Sequence, residues 1–214
     1  MNTKIIVFDM DGVLVDIGSS WQFVHKRFNV DNTDNLKEFL NQRISYDEFM
    51  KKDIALWGTV NIETLKKILS EVPLIKGAEL AVTQLRKEGY KTAIISAGIS
   101  ILAERIQQEL KIDHIYANKI IAHKNGILTG KGEVVNPLNK IAVLRELASK
   151  EHIILPNCAV IGDTIFDVPM FKAVGFSIAF NTNDKRVAEA ASVVVEDKDL
   201  MKIPPYFIEC GRAK

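Results

Sequence analysis

The chain opens on an unbroken apolar run, Ile5-Ile6-Val7-Phe8, that stops at two carboxylates one residue apart, Asp9 and Asp11, followed by Gly12. A run without alternation predicts a strand buried on both faces, the kind found in parallel sheets. From residue 17 the rhythm turns helical. Trp21, Val24, His25 and Phe28 fall at i, i+3, i+4 and i+7, the spacing of one helix face. Leu36, Phe39 and Leu40 mark a second face, Tyr46, Phe49, Met50 and Trp57 a third, and Ile62, Leu65 and Leu69 a fourth. Ser45 followed by Glu48 is a capping-box pattern. Residues 17–72 therefore predict a small all-helical unit without strands, with both tryptophans as packing residues first and His25 as a core or cleft-wall residue.

Pro73 and Gly77 mark a second change of rhythm. Ala81, Val82 and Leu85 predict a helix stopped at Glu88-Gly89. Lys91 to Ser96 reads as a buried strand ending in Ser96-Ala97-Gly98, and Leu102, Ile106 and Leu110 carry the next helix. Short strands are expected between His114 and Val135, where Asn125-Gly126 is a two-residue hairpin signal, a flap or a sheet-edge addition. Then follow a helix with Ile141, Leu144, Leu147 and Ala148, a buried strand Cys158–Ile161 and the turn Gly162-Asp163-Thr164-Ile165-Phe166-Asp167. Helix 168–174, strand 176–180, helix 184–190 and strand 193–195 complete the pattern. Strands alternating with helices predict an α/β fold, a mostly parallel Rossmann-like sheet with helices on both faces.

Composition narrows the function class. The 214 residues carry 28 Lys+Arg against 27 Asp+Glu, a net charge of +1, which gives no electrostatic reason to expect nucleic acid or an anionic membrane as partner. Cys158 and Cys210 have neither metal spacing nor a disulfide framework, and Cys158 opens an apolar strand as a buried thiol would. The N-terminus goes directly into a strand, and no apolar stretch approaches the ~18 residues of a membrane span. A cytoplasmic protein, monomer or homodimer, is the expectation.

Three buried-type strands end in polar turns: Asp9/Asp11, Ser96-Ala97-Gly98 and Asp163/Asp167. In an open α/β sheet, ligands bind beyond the carboxyl ends of the strands. If the three are neighbours, four carboxylates face a serine hydroxyl and backbone N–H groups. Carboxylates so close repel unless a cation lies between them, and oxygen ligands at a sheet end suit Mg²⁺. Hydroxyl and backbone donors suit phosphate. Taken alone, D-x-D-G is also good turn chemistry, and that reading stays open for the first motif.

These motifs together resemble the haloacid dehalogenase superfamily phosphatases, most of all the phosphoserine phosphatase branch. The matching residues are Asp9-Met10-Asp11-Gly12-Val13, Ile94-Ile95-Ser96-Ala97-Gly98, Lys140, and Gly162-Asp163-Thr164-Ile165-Phe166-Asp167. The resemblance implies a core of residues 1–16 and 73–214 with a helical cap, 17–72, of the family's C1 type. It implies that Asp9 is a nucleophile forming an aspartyl-phosphate. Asp11 is then the general acid and base, with its backbone carbonyl and the carboxylates of Asp9 and Asp163 holding Mg²⁺ and Asp167 supporting it. Ser96, Ala97 and Gly98 bind the phosphoryl oxygens of a small phosphorylated metabolite, and Lys140 supplies positive charge, with Lys131 as the alternative lysine. In the cap the match weakens: Gly18 stands where the branch has a glutamate for the substrate ammonium, and Lys51 where it has an arginine for the substrate carboxylate. A phosphomutase and a non-catalytic phosphate-binding module are the rival readings.

Overall fold

The structure, a computed structural model, describes residues 3–208; Cys210 lies outside them. Seven strands form one sheet in the order β4-β3-β2-β1-β5-β6-β7. They are β1 (Ile5–Phe8), β2 (Lys91–Ile99), β3 (His114–Ala122), β4 (Leu128–Glu133), β5 (Cys158–Gly162), β6 (Phe176–Phe180) and β7 (Val193–Val195). All neighbouring pairs are parallel except β3–β4. The central strand β1 is buried along its whole length, as its unbroken apolar run requires. Ile6 and Phe8 face one half of the core with Leu85, Leu102 and Ile106, while Ile5 and Val7 face the other with Leu144, Leu147 and Phe171. The sheet is thus covered by helices on both sides, the expected doubly wound arrangement.

Between β1 and β2 lie α1 (Ser20–Phe28), α2 (Thr33–Leu40), α3 (Tyr46–Leu56), α4 (Ile62–Ser70) and α5 (Ala78–Lys87). Ser19 caps α1, and at α3 the Ser45 and Glu48 side chains form the reciprocal capping box. The two ends of the α1–α4 segment are tied to each other. Asp16 N–H donates to Pro73 O at 3.0 Å and Ile75 N–H to Leu14 O at 2.9 Å. His25 is 1% exposed; Trp57 Nε1 donates to its Nδ1 at 2.7 Å, so its Nε2 carries the proton toward Asp53 Oδ2 at 3.1 Å. Asn32 and Asn35 complete the shell of the Asp53 carboxylate.

The hairpin differs from its expected form. The turn is not a two-residue one: Gly126 N–H donates to His123 O and His123 N–H to Ile127 O, both at 2.8 Å. Lys124-Asn125-Gly126 is a three-residue loop in which only Gly126 takes a positive φ, +84°, the pattern of a turn followed by a glycine bulge. Its tip is tied to the helical segment through Ile62 N–H to Gly126 O at 2.8 Å and Leu128 N–H to Val60 O at 3.0 Å. Helices α6 (Ser100–Leu110), α7 (Lys140–Lys150), α8 (Val168–Phe171), α9 (Lys185–Ala190) and α10 (Pro205–Ile208) complete the chain. Helix α8 is shorter than its apolar pattern suggests, because Ala173 N–H closes onto Met170 O in a tight final turn. Cys158 is a buried free thiol, as expected.

Candidate active site

Backbone irregularities place the polar residues beyond the ends of the sheet. After β1 the chain makes one wide turn, with the N–H groups of both Leu14 and Val15 donating to Met10 O, and this turn carries Asp9 and Asp11 past the strand end. Gly12 sits in it at φ +79°, and a Cβ there would lie 2.2 Å from Asp163 Oδ2; only glycine lets the two motifs approach so closely. On β2 the ladder with β3 breaks between Ile95 and Ile99, so that Ser96-Ala97-Gly98 stand opposite the single residue Ala117. Such a bulge removes residues from the ladder and re-aims them. The sequence pattern ended the strand at Ser96; the bulge carries β2 on to Ile99.

Lys140, at the start of α7, is 3% exposed. Its Nζ lies 2.6 Å from Asp9 Oδ2 and 2.8 Å from Asp167 Oδ1. Lys131 is exposed on the hairpin and does not line the cleft that Asp9 and Lys140 share. The second oxygen of Asp167 accepts from Asp163 N–H, Thr164 N–H and Thr164 Oγ1 at 3.2, 3.1 and 3.0 Å. Met10 N–H donates to Asp9 Oδ1 at 2.7 Å. Ser20, at the start of α1, donates its N–H and its Oγ to Asp11 Oδ2 at 2.8 and 2.9 Å. Ser96 Oγ accepts from Gly98 N–H at 3.1 Å and keeps its own proton for another acceptor. Ala97 contributes its carbonyl, which accepts from Trp21 Nε1 at 2.9 Å and Asn118 Nδ2 at 2.5 Å. These bonds pin the bulge.

The electrostatics follow from burial. Burial raises Asp9 above the usual carboxylate range against the opposing charge of Lys140. Burial also pushes Asp11 up to about 6, with the Ser20 hydrogen bonds opposing. Asp163 is pushed up to about 8 by burial and then by the neighbouring Asp9 and Asp167 charges. For Lys140, burial disfavours the charge, but Asp167 and Asp9 outweigh it and hold the ammonium above its ordinary value. One carboxylate oxygen each from Asp9, Asp163 and Asp167 gather within 4.8 Å of one another. Asp163 Oδ1 and Asp11 Oδ1 are buried with no hydrogen-bond partner. Three carboxylates facing one ammonium leave excess negative charge, and unpartnered buried oxygens in an all-oxygen set fit a hard divalent cation.

A cleft of about 310 Å³ opens on Asp9, Asp11, Ser96 and Lys140 and runs up between α1, α2 and α3. Gly18 lines it, but Lys51 does not: Lys51 lies beside Gly130 and Lys131 at the hairpin. Ser20, Trp21 and Asn118 are site residues that periodicity alone did not single out for polar roles. Trp21, expected first as a packing residue, both stacks on Trp57 at 5.6 Å and hydrogen-bonds the bulge.

Residues 3–175 match the family model for haloacid dehalogenase-like hydrolases. The phosphoserine phosphatase of Methanocaldococcus jannaschii is 30% identical over 207 residues, covering 95% of this chain and 97% of that protein. That of Archaeoglobus fulgidus is 31% identical over 212 residues, 95% of this chain but 61% of the longer relative. A solved structure described as a phospho-aspartyl intermediate analogue of phosphoserine phosphatase superposes with a TM-score of 0.80 at 29% identity, covering 95% of this chain and 98% of that one. Among the described residues no helix is long and apolar enough to cross a membrane. The chain belongs to the haloacid dehalogenase-like hydrolase family and is a phosphatase similar to the phosphoserine phosphatase branch.

Proposed function

We propose that the protein hydrolyses a small phosphomonoester in two steps through an aspartyl-phosphate on Asp9. The observation that carries this reading is the pairing of a buried carboxylate with a buried ammonium, Asp9 with Lys140 at 2.6 Å, beside a second carboxyl raised to about 6. Lys140 opposes the protonation that burial favours at Asp9, which must be ionised to attack. In the first step a bond forms between an Asp9 oxygen and phosphorus while the ester P–O bond breaks. Asp11 gives its proton to the departing oxygen. Its Oδ2 is held by Ser20, which leaves Oδ1 to carry the proton, and a value near 6 suits a general acid that must also act as a base. In the second step Asp11 takes a proton from water, whose oxygen attacks phosphorus and releases Asp9.

Ser96 Oγ donates to a phosphoryl oxygen, together with backbone N–H groups of the bulge. Asp9, Asp163 and the backbone carbonyl of Asp11 hold Mg²⁺, and Asp167, whose two oxygens are already engaged, fixes Lys140 and the Asp163 turn. When bound, the cation neutralises phosphoryl and carboxylate charge that Lys140 alone leaves unbalanced. The tie between Asp16 and Pro73 supports dividing the chain into a core, 1–16 and 73–214, and a cap, 17–72. Phosphate release from a panel of phosphomonoesters in Mg²⁺ tests the reading. Turnover by the native protein and none by Asp9→Asn is expected; equal turnover by both would refute it.

A further inference from the structure

We propose that the alcohol half of the substrate is uncharged and apolar, so that the cleft above Asp9 takes a phosphomonoester of an aliphatic or aromatic alcohol and not of an amino acid. The inference rests on the phosphomonoesterase reading and adds the substrate class. The relatives' name points to phosphoserine, whose leaving alcohol carries an ammonium and a carboxylate. Among the described residues the cleft supplies no unpaired cation for the carboxylate, and for the ammonium only Asp53, whose carboxylate is already hydrogen-bonded.

Lys140 is the only cationic side chain lining the cleft among the described residues, and both of its contacts go to carboxylates of the floor. Beyond the floor the only lining carboxylate is Asp53. It is 1% exposed, and both of its oxygens are taken, by His25, Asn32 and Asn35. Asn32 itself accepts from Gln22 Nε2 at 2.8 Å. A carboxylate brought here would meet no cation that is not already paired, and an ammonium would reach only the carboxylate of Asp53, buried behind its own hydrogen-bond shell, so each would lose its water for little return.

The walls are apolar instead. Leu36, Phe39 and Leu40 of α2, Tyr46 and Phe49 of α3 and Trp21 of α1 form the apolar part of the lining, beside the polar Ser19, Gln22 and Asn32. The polar handles of the aromatic residues are already spent. Trp21 Nε1 donates to Ala97 O, and the Tyr46 hydroxyl accepts from Asn118 Nδ2 at 2.7 Å. Phe39 stacks on Phe49 at 5.2 Å and tilts against Tyr46 at the same separation, so the wall is packed in place. Leu36 and Leu40, one helical turn apart, remain 38% and 52% exposed. Large apolar side chains left open at the mouth of a phosphoryl site gain by burial against an apolar ligand.

The test compares 2-phenylethyl phosphate, ethyl phosphate and phosphoserine by kcat/KM in Mg²⁺. In parallel, calorimetry measures binding of 2-phenylethylphosphonate and ethylphosphonate to the native protein, which needs no turnover. Expected are a preference of about tenfold or more for the phenylethyl over the ethyl compound in both arms, and phosphoserine no better than ethyl phosphate. Leu36→Ala with Leu40→Ala, both at exposed positions, should lower the phenylethyl-to-ethyl ratio about fivefold. Equal binding of the two phosphonates, or a preference for phosphoserine, would overturn the inference. Preferential binding with no ester hydrolysed would leave it standing and overturn the phosphomonoesterase reading instead.

Discussion

Lys140 Nζ and Asp9 Oδ2 lie 2.6 Å apart although 131 residues separate them in sequence. The contact joins the start of α7 to the end of β1. The same ammonium reaches Asp167 Oδ1 at 2.8 Å, so one buried cation fastens the turn after β1 to the turn after β5. Burial on this scale makes the pair directional: removing either partner strands a charge.

Lys140→Met should therefore fail in two ways. Stability should drop by about 3–5 kcal/mol, the range for breaking a buried pair by deleting one member, and turnover should fall at least a hundredfold because Asp9 loses the positive charge that opposes its protonation. Urea unfolding and phosphate release measure the two effects. A stable, active Lys140→Met protein would remove Lys140 from the account.

Asp11→Asn should keep the fold, since an amide oxygen still accepts from Ser20, but lose about 10²–10⁴ in kcat, the usual worth of general acid–base catalysis. The loss should be smaller in the first step for p-nitrophenyl phosphate, whose leaving group needs little protonation. Pre-steady-state release of nitrophenolate checks this. An equal first-step loss for alkyl and nitrophenyl esters would contradict a proton-donating role.

The raised carboxyls fix a pH dependence for the metal-free protein. Between the ordinary carboxylate range and about 8, folded Asp163 holds a proton more often than the unfolded chain does, and Asp9 shifts in the same direction. Stability from these groups is complete below about pH 4 and is lost as pH rises toward 8. Asp31, Glu48, Glu151, Asp184 and Asp199 are lowered, so their contribution fades only in acid, below this window. In EDTA the Tm should fall from pH 5 to pH 8, and Mg²⁺ should raise the Tm more at pH 8 than at pH 5. A metal-induced shift independent of pH would contradict the assignment of Asp9 and Asp163 as ligands. Ca²⁺ should bind but inhibit, because its looser shell accepts both oxygens of Asp9.

The floor of the site was legible in the sequence because each part is local. Asp9-Met10-Asp11-Gly12 and Gly162-Asp163 follow unbroken apolar runs, and parallel pairing brings the residues that follow such runs to the same edge of the sheet. The strands Ile5–Phe8, Phe176–Phe180 and Val193–Val195 coincide with their apolar patterns. Ser20 on Asp11, Trp21 and Asn118 on Ala97, and Asn32 on Asp53 were not legible. Each joins residues distant in sequence or in neighbouring elements, so it depends on tertiary packing that no short-range pattern records. The bulge at Ser96-Ala97-Gly98 was hidden for the same reason, since register belongs to a pair of strands and not to one. Lys51 shows the converse. The resemblance placed it where the branch has a substrate-binding arginine, but it lies beside Gly130 at the hairpin.

The central claim is that phosphorus is carried by Asp9. Rapid acid quench during steady-state turnover, followed by borohydride reduction and peptide mass spectrometry, measures it directly. The account predicts a phosphorylated enzyme whose reduction marks residue 9 and no other carboxylate, with a larger phosphorylated fraction in Asp11→Asn if dephosphorylation is the slower step. Turnover with no residue 9 label at any quench time, together with phosphate release by Asp9→Asn, would contradict it.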